Sequence, residues 1–426
     1  MSHHVRPAGY AALVDRLNRA PQGAPASPLL TEILQILFTE QEAELLGRVP
    51  IMPFNVATAA ERWQMSELEA QKTLDRLADK TMIVDVETPD GSRVYILPPP
   101  VVGFFEFSLM RVRTDIDQPR LSELFHQYLN VEDDFMRAML FPHDSICSRA
   151  LVNEEALPDN LASQVLDYER ASAIIKSADH ISVNTCFCRH QQSHLGQACD
   201  APQETCLSFG LGSRALTGRG VGRIIDQVEA LDILQKCREH DLVQMADNVR
   251  EQVGYMCNCC GCCCEMTQAV RKFGQMAEVW TNFIIDVDSH QCTGCGKCLS
   301  HCPVQALTLT AAIDPHNAKA RKIKIDEDNC LGCGVCVRHC ARGALHLEPR
   351  PERVLTPLNT SHRMVLAALD SGKLGHLIFD NQLLASHRAM AALIGNILKF
   401  SPVKRLIANK QLRSRYLEAL ITRAGK

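Results

Sequence analysis

The 426-residue sequence is 46% hydrophobic and 22% charged with a formal net charge of −4, a balance that reads as globular and as roughly two to four domains. No apolar run approaches the roughly 18–20 residues of a membrane span, and the start MSHHVRPAGY has no apolar core of the secretory kind, so a cytoplasmic location is expected. Of 20 cysteines, all but Cys147 lie between Cys186 and Cys340; thiols clustered in this way point to metal rather than to a disulfide scaffold.

In chain order, residues 1–27 are an N-terminal segment, and residues 28–110 predict three helices followed by a hairpin. Ser66 and Glu69 have the spacing of a capping box, and Ala70, Leu74, Leu77 and Ala78 follow at helical intervals. MIVDVE and RVYIL then read as two strands turning at Asp90-Gly91. This order resembles a winged helix. Its recognition-type helix, Ser66 to Lys80, holds three basic and four acidic residues, a poor match to a phosphate backbone, so a docking or scaffold role is expected and specific nucleic-acid binding is not.

Residues 111–280 form a central, cysteine-rich domain. Its first cysteine group is Cys186, Cys188, Cys199 and Cys206; its second is CNCCGCCC, comprising Cys257, Cys259, Cys260, Cys262, Cys263 and Cys264. Adjacent side chains do not generally point at one centre, so either two cofactors share CNCCGCCC or some of its thiols are free. A further iron–sulfur cluster is expected here, with a zinc ribbon as the structural alternative. Arg189 and His190 beside the first group would lower a thiolate pKa or raise a cluster potential. Between the groups, residues 221–240 predict an amphipathic helix with Ile224, Val228, Leu231 and Leu234 on one face. Cys147 and Cys237 stand alone and read as buried bystanders. The glycines of TGRGVGR follow no strand and give little support to nucleotide binding.

Residues 281–350 contain an internal repeat: DSHQCTGCGKCLSHCPVQALTL recurs 38 residues later as DEDNCLGCGVCVRHCARGALHL. Each copy carries C-x2-C-x2-C-x3-C, with Pro303 after the first and Ala341 after the second. Strands are expected near Phe283–Val287, Ala306–Leu309, Lys322–Ile325 and Ala344–Leu347, with the excursion TAAIDPHNAKARK as a partner contact. The spacing resembles the two-cluster bacterial ferredoxin family. That resemblance implies one [4Fe-4S] cluster on Cys292, Cys295, Cys298 and Cys340, and a second on Cys330, Cys333, Cys336 and Cys302. His301 and His339 recur at matching points of the repeat and read as packing around the ligands rather than as ligands.

Residues 351–426 predict a helical tail; from 361 onward it holds 11 Lys/Arg against 3 Asp/Glu, an excess of +8. Met390, Leu393, Ile394 and Ile397 form one apolar stripe, and Ser401-Pro402 open a last helix. Such a tail suits docking on an acidic partner or peripherally on the inner membrane face.

The fold class expected is therefore α+β: a winged-helix-like domain, a cysteine-rich centre, a two-cluster ferredoxin domain and a basic helical tail. Cys259-Cys260-Gly261 is similar to the CCG motif of heterodisulfide reductases, whose paired motifs hold a noncubane cluster. The whole order from CxCRH to the ferredoxin repeat is similar, over residues 180–420, to multi-cluster ferredoxin-domain proteins of anaerobes. The function expected is low-potential electron transfer between a soluble donor and a partner oxidoreductase. The alternatives are a catalytic subunit reducing a disulfide or other small molecule at the central cluster, and a redox-sensing winged-helix regulator.

Overall fold

The computed structural model describes residues 8–88, 91–140, 147–157, 165–274, 279, 281–312, 320–351 and 356–379. It divides into one unit of Met1–Ser145, Arg214–Val221 and Leu358–Lys426, and a second of Ile146–Ser213 and Gly222–Pro357. Strands and helices mix in the α+β manner that the sequence predicts.

In the first unit, short polar residues start the helices. Ser27 accepts from the Leu30 amide ahead of Pro28, opening Pro28–Leu37, and Thr39 with Glu42 makes a capping box for Glu40–Arg48. Val56–Trp63 follows, and Ser66 with Glu69 caps Glu67–Asp79 as expected. Four helices thus precede the hairpin where three were expected, because Phe38 is extended and Thr39 begins a new helix after it. The hairpin pairs β1 (Val84–Glu87) with β2 (Arg93–Ile96), and Phe54 bridges Tyr95 beside it. Asp90 of the expected turn lies outside the described residues.

Several charges along and just after the Glu67–Asp79 helix are paired within its own unit. Arg76 and Lys80 pair with buried Glu42, while Arg219 bonds Asp79 and Asp85, each at 2.6 Å. Later in this unit come Thr360–Asp370 and Leu374–Ile378, which share a small core of Val365, Leu366, Leu369 and Leu374. The stripe Met390, Leu393, Ile394 and Ile397, and the start at Ser401-Pro402, lie outside the described residues. Among the described residues no helix is long and apolar enough to cross a membrane.

The second unit is built on a six-stranded antiparallel sheet. Its strands are β3 (Ser148–Ala150), β4 (Ile181–Thr185), β5 (Glu204–Phe209), β6 (Arg223–Ile225), β7 (Val243–Asp247) and β8 (Tyr255–Cys259), in the order β3-β7-β8-β5-β4-β6. Side chains alternate across a strand. Ile181, Val183, Leu207, Phe209 and Met256 therefore point to one face, where they pack on the Ala171–Ser177 and Gln227–Glu239 helices through Ile174, Ile175, Ala230 and Leu234. Cys206, Cys257 and Cys259 fall on the other.

The expected helix over 221–240 is shorter than predicted. Gly220 and Gly222 take positive φ, residues 223–225 pair with β4 instead, and Asp226 caps a helix that begins at Gln227. Ile224 and Val228 are consequently 63% and 68% exposed, and the buried face is Ala230, Leu234 and Cys237.

Downstream, the repeat forms two antiparallel strand pairs, β9 (Phe283–Val287) with β12 (Leu345–Pro349) and β10 (Leu307–Ala311) with β11 (Arg321–Ile325). Short helices Lys297–Ser300 and Val335–Arg338 sit at matching places in the halves. Much of the excursion, residues 313–319, lies outside the described residues.

Candidate metal centres

Tight glycine turns shape the loops of the repeat. At Gly332, with φ of +64°, a Cβ would stand 1.9 Å from the Phe283 carbonyl oxygen; at Gly294, with φ of +63°, it would stand 2.1 Å from that of Arg321. Only glycine brings these loops so close to β9 and β11. The result is two groups of thiols. Cys298 feels the charges of Cys295, Cys340 and Cys292, and Cys336 those of Cys333, Cys302 and Cys330.

Cys302, Cys330, Cys333 and Cys336 line a pocket with Ile285, Val304 and Leu307. Burial pushes Cys333 up to about 12 and Cys298 up to about 11. Such thiols shed their protons when a cation shares the site. Four soft donors around an apolar cavity fit a 4Fe-4S cubane. Amides are aimed at the sulfurs symmetrically: Ala306 N–H donates to Cys302 Sγ at 3.2 Å and Ala344 N–H to Cys340 Sγ at 3.3 Å.

The ten central cysteines separate into six and four. Neighbouring thiols shift one another's pKa in a run from Cys186 to Cys188, Cys264, Cys259, Cys257 and Cys206. These six sit on the face of the sheet away from its apolar core, and two helix starts face them. Cys186 precedes Phe187–His194 and Cys264 precedes Glu265–Phe273. Bonds from Cys188 and Cys259, together with the amides of Thr267 and Met266, hold the Cys264 thiol well below its ordinary value; a helix N-terminus stabilises a thiolate in this way. The other four, Cys199, Cys260, Cys262 and Cys263, have sulfurs within 4.8 Å of one another. Sequence spacing groups Cys199 with Cys186, Cys188 and Cys206; the structure sets Cys199 against the CNCCGCCC turn instead. CNCCGCCC is thus divided, Cys257, Cys259 and Cys264 to one group and Cys260, Cys262 and Cys263 to the other.

Residues 291–344 match the family model of the 4Fe-4S dicluster domain, a span holding all eight cysteines from Cys292 to Cys340. This part of the chain is a ferredoxin-like iron–sulfur domain. Comparisons with curated proteins and with solved structures found no match. The ferredoxin-like domain and the cysteine groups beside it give the chain an iron–sulfur electron-transfer role.

Four side chains, Arg189, Asp241, His301 and His339, organise the surroundings of the two cysteine regions. Arg189 is completely buried. It donates to the Asn258 carbonyl and to Thr205 Oγ1, and lies beside Cys186 and Cys259 of the six and Cys260 of the four. His301 and His339 stack at 3.4 Å with an interplanar angle of 6°. One carboxylate bonds both: Asp241 Oδ2 with His301 Nδ1 and Asp241 Oδ1 with His339 Nε2, each at 2.7 Å. Asp241 thus fastens the end of the Gln227–Glu239 helix to both halves of the repeat at once. Sequence reasoning missed Asp241, whose one local mark, a non-glycine φ of +57°, is visible only in the structure. Cys237 is not isolated either, because it is buried against Cys260 and Cys263. Burial pushes it up to about 12, which keeps it a neutral thiol.

Proposed function

We propose that this chain relays low-potential electrons between a soluble donor and a partner oxidoreductase. Cys292, Cys295, Cys298 and Cys340 hold one [4Fe-4S] cluster, Cys302, Cys330, Cys333 and Cys336 a second, and Cys186, Cys188, Cys206, Cys257, Cys259 and Cys264 a further cluster on the sheet. Iron–sulfur clusters, when bound, supply one-electron chemistry at potentials set by charge, hydrogen bonds to sulfur and solvent access.

The observation that carries this reading is the contact between the two cysteine regions. Gly261, in the turn after Cys259 and Cys260, lies against Pro303, the residue after Cys302; a Cβ there would stand 2.6 Å from the Pro303 carbonyl oxygen. Arg271 Nε also donates to that oxygen at 2.9 Å. The backbone that carries the central thiols therefore touches the backbone that carries a ferredoxin ligand. Asp241 holds the same register through His301 and His339, and Arg189 supplies a buried positive charge to offset the thiolates. In the first unit, two of the three basic residues over Ser66 to Lys80, Arg76 and Lys80, pair with Glu42, which supports a docking role over duplex binding. The +8 excess of residues 361–426 would steer an acidic oxidoreductase towards the chain.

Rapid-freeze EPR of the anaerobic full-length protein, mixed with a low-potential donor, tests the relay. Ferredoxin signals should rise first and signals abolished by Cys257→Ser should follow. Gly261→Ala should slow the second phase at least tenfold without altering the first. Equal second phases in wild type and Gly261→Ala would refute the route.

A further inference from the structure

We infer that Cys199, Cys260, Cys262 and Cys263 hold one tetrahedral metal ion of the zinc class, separate from every iron–sulfur cluster of the chain. Size decides between a single ion and a cluster. Four thiolates at about 2.3 Å from one zinc stand about 3.8 Å apart, whereas a cubane interposes four irons and spreads its thiolates wider. The sulfurs of this group all lie within 4.8 Å of one another, and Cys262 Sγ is 3.6 Å from Cys263 Sγ. Among the described residues, none of the eight ferredoxin cysteines belongs to so compact a group.

The local chain explains how neighbouring cysteines reach one centre. Residues 261–263 form a turn between β8 and the Glu265–Phe273 helix. The Cys263 amide donates back to Cys260 Sγ at 3.4 Å, so the turn wraps around the Cys260 sulfur. Cys199 closes the group from the loop before β5, its sulfur within 4.8 Å of those of Cys260, Cys262 and Cys263.

All four positions are thiols, and Leu242, Ala201, Ile233 and Cys237 pack around them. A closed set of four cysteines describes a structural ion, with no position left for a substrate or an exchangeable water. Its role is to fasten the turn that carries Gly261 to the loop ending at β5. The inference stands apart from the electron-transfer reading, since a redox-silent ion takes no part in a relay.

The test uses the anaerobically purified full-length protein. Native mass spectrometry of the wild type, with metal and acid-labile sulfide analysis, should show one zinc per chain beyond the iron–sulfur mass. Cys199→Ser and Cys262→Ser should each weaken zinc retention against a chelator at least tenfold, with iron and sulfide unchanged. Cobalt in place of zinc should give the visible bands of a tetrahedral tetrathiolate. Loss of one iron without sulfide would keep the single-ion site and identify the ion as iron. Loss of several irons together with sulfide in either variant, or a wild type with no ion beyond its iron–sulfur mass, would overturn the inference. The wild-type spectrum decides this even if a variant fails to fold.

Discussion

The first unit contains no cysteine, and the second contains all 20. The first fills its interior with rings: Phe104 and Phe105 are 5.0 Å apart, Phe105 and Phe125 4.7 Å, and Tyr128 and Phe135 5.1 Å. Its buried ion pairs and helix caps are complete within the polypeptide. The second packs an apolar layer on one face of its sheet, and on the other it buries thiols together with Arg189, Gln191 and Glu265. Aromatic packing is self-sufficient, whereas a layer of thiols and charges is costly to bury unless a cation completes it. The difference teaches that the first unit can fold from its sequence alone, and that the second needs its metals.

The strongest way to break this comparison is to remove the metals. After chelation, amides of β5, β8 and the loops around Cys292–Cys302 should lose hydrogen-exchange protection, while Pro28–Leu37 and Glu67–Asp79 keep theirs. Equal loss in both units would contradict the contrast. A more local break is Gly332→Ala. The φ of +64° costs a side chain of order 1–3 kcal/mol, and the 1.9 Å approach to the Phe283 oxygen adds a clash with backbone. Iron content should fall by about four per chain, the content of one cubane, while the first unit melts unchanged.

The smallest effect concerns the first unit and sharpens the comparison from the other side. Burial pushes the Glu42 carboxyl up, but the Lys80 bond, the Thr39 amide and the Lys80 and Arg76 charges outweigh it and hold Glu42 below its ordinary value. A depressed carboxyl contributes stability that is present above its unfolded pKa and lost as the pH falls through its folded one. Acid should therefore weaken the first unit through this residue. Glu42→Gln should cost roughly 2 kcal/mol at neutral pH, less than a fully buried pair because Lys80 and Arg76 reach solvent, and should flatten the acid limb. Denaturant melts followed by Trp63 fluorescence, at neutral and acidic pH, measure both; an unchanged acid limb would remove Glu42 from the account.

The repeat was the most legible part of the chain, because each C-x2-C-x2-C run is local and a strand flanks it directly on either side. The capping box at Ser66 and the helix after it were legible for the same reason. The division of the central cysteines was not, since their ligands arrive from β5, β8, a loop and two helix starts. Cys263 and Cys264 are sequence neighbours, yet a turn ends and a helix begins between them, sending their thiols to different groups. Ile224 and Val228 misled because periodicity does not show the paired glycine turn that makes residues 223–225 an edge strand. Asp241 was invisible because its partners, His301 and His339, come from two distant halves of a repeat.

The measurement that tests the central claim most directly is iron and acid-labile sulfide per chain, with EPR of the reduced state, in wild type and in Cys206→Ser/Cys257→Ser. The account predicts iron and sulfide above the roughly eight of two cubanes in the wild type, and a return to about eight in the variant with the ferredoxin signals intact. A wild type that stops at eight of each, or a variant that loses none, would contradict a further cluster on the sheet.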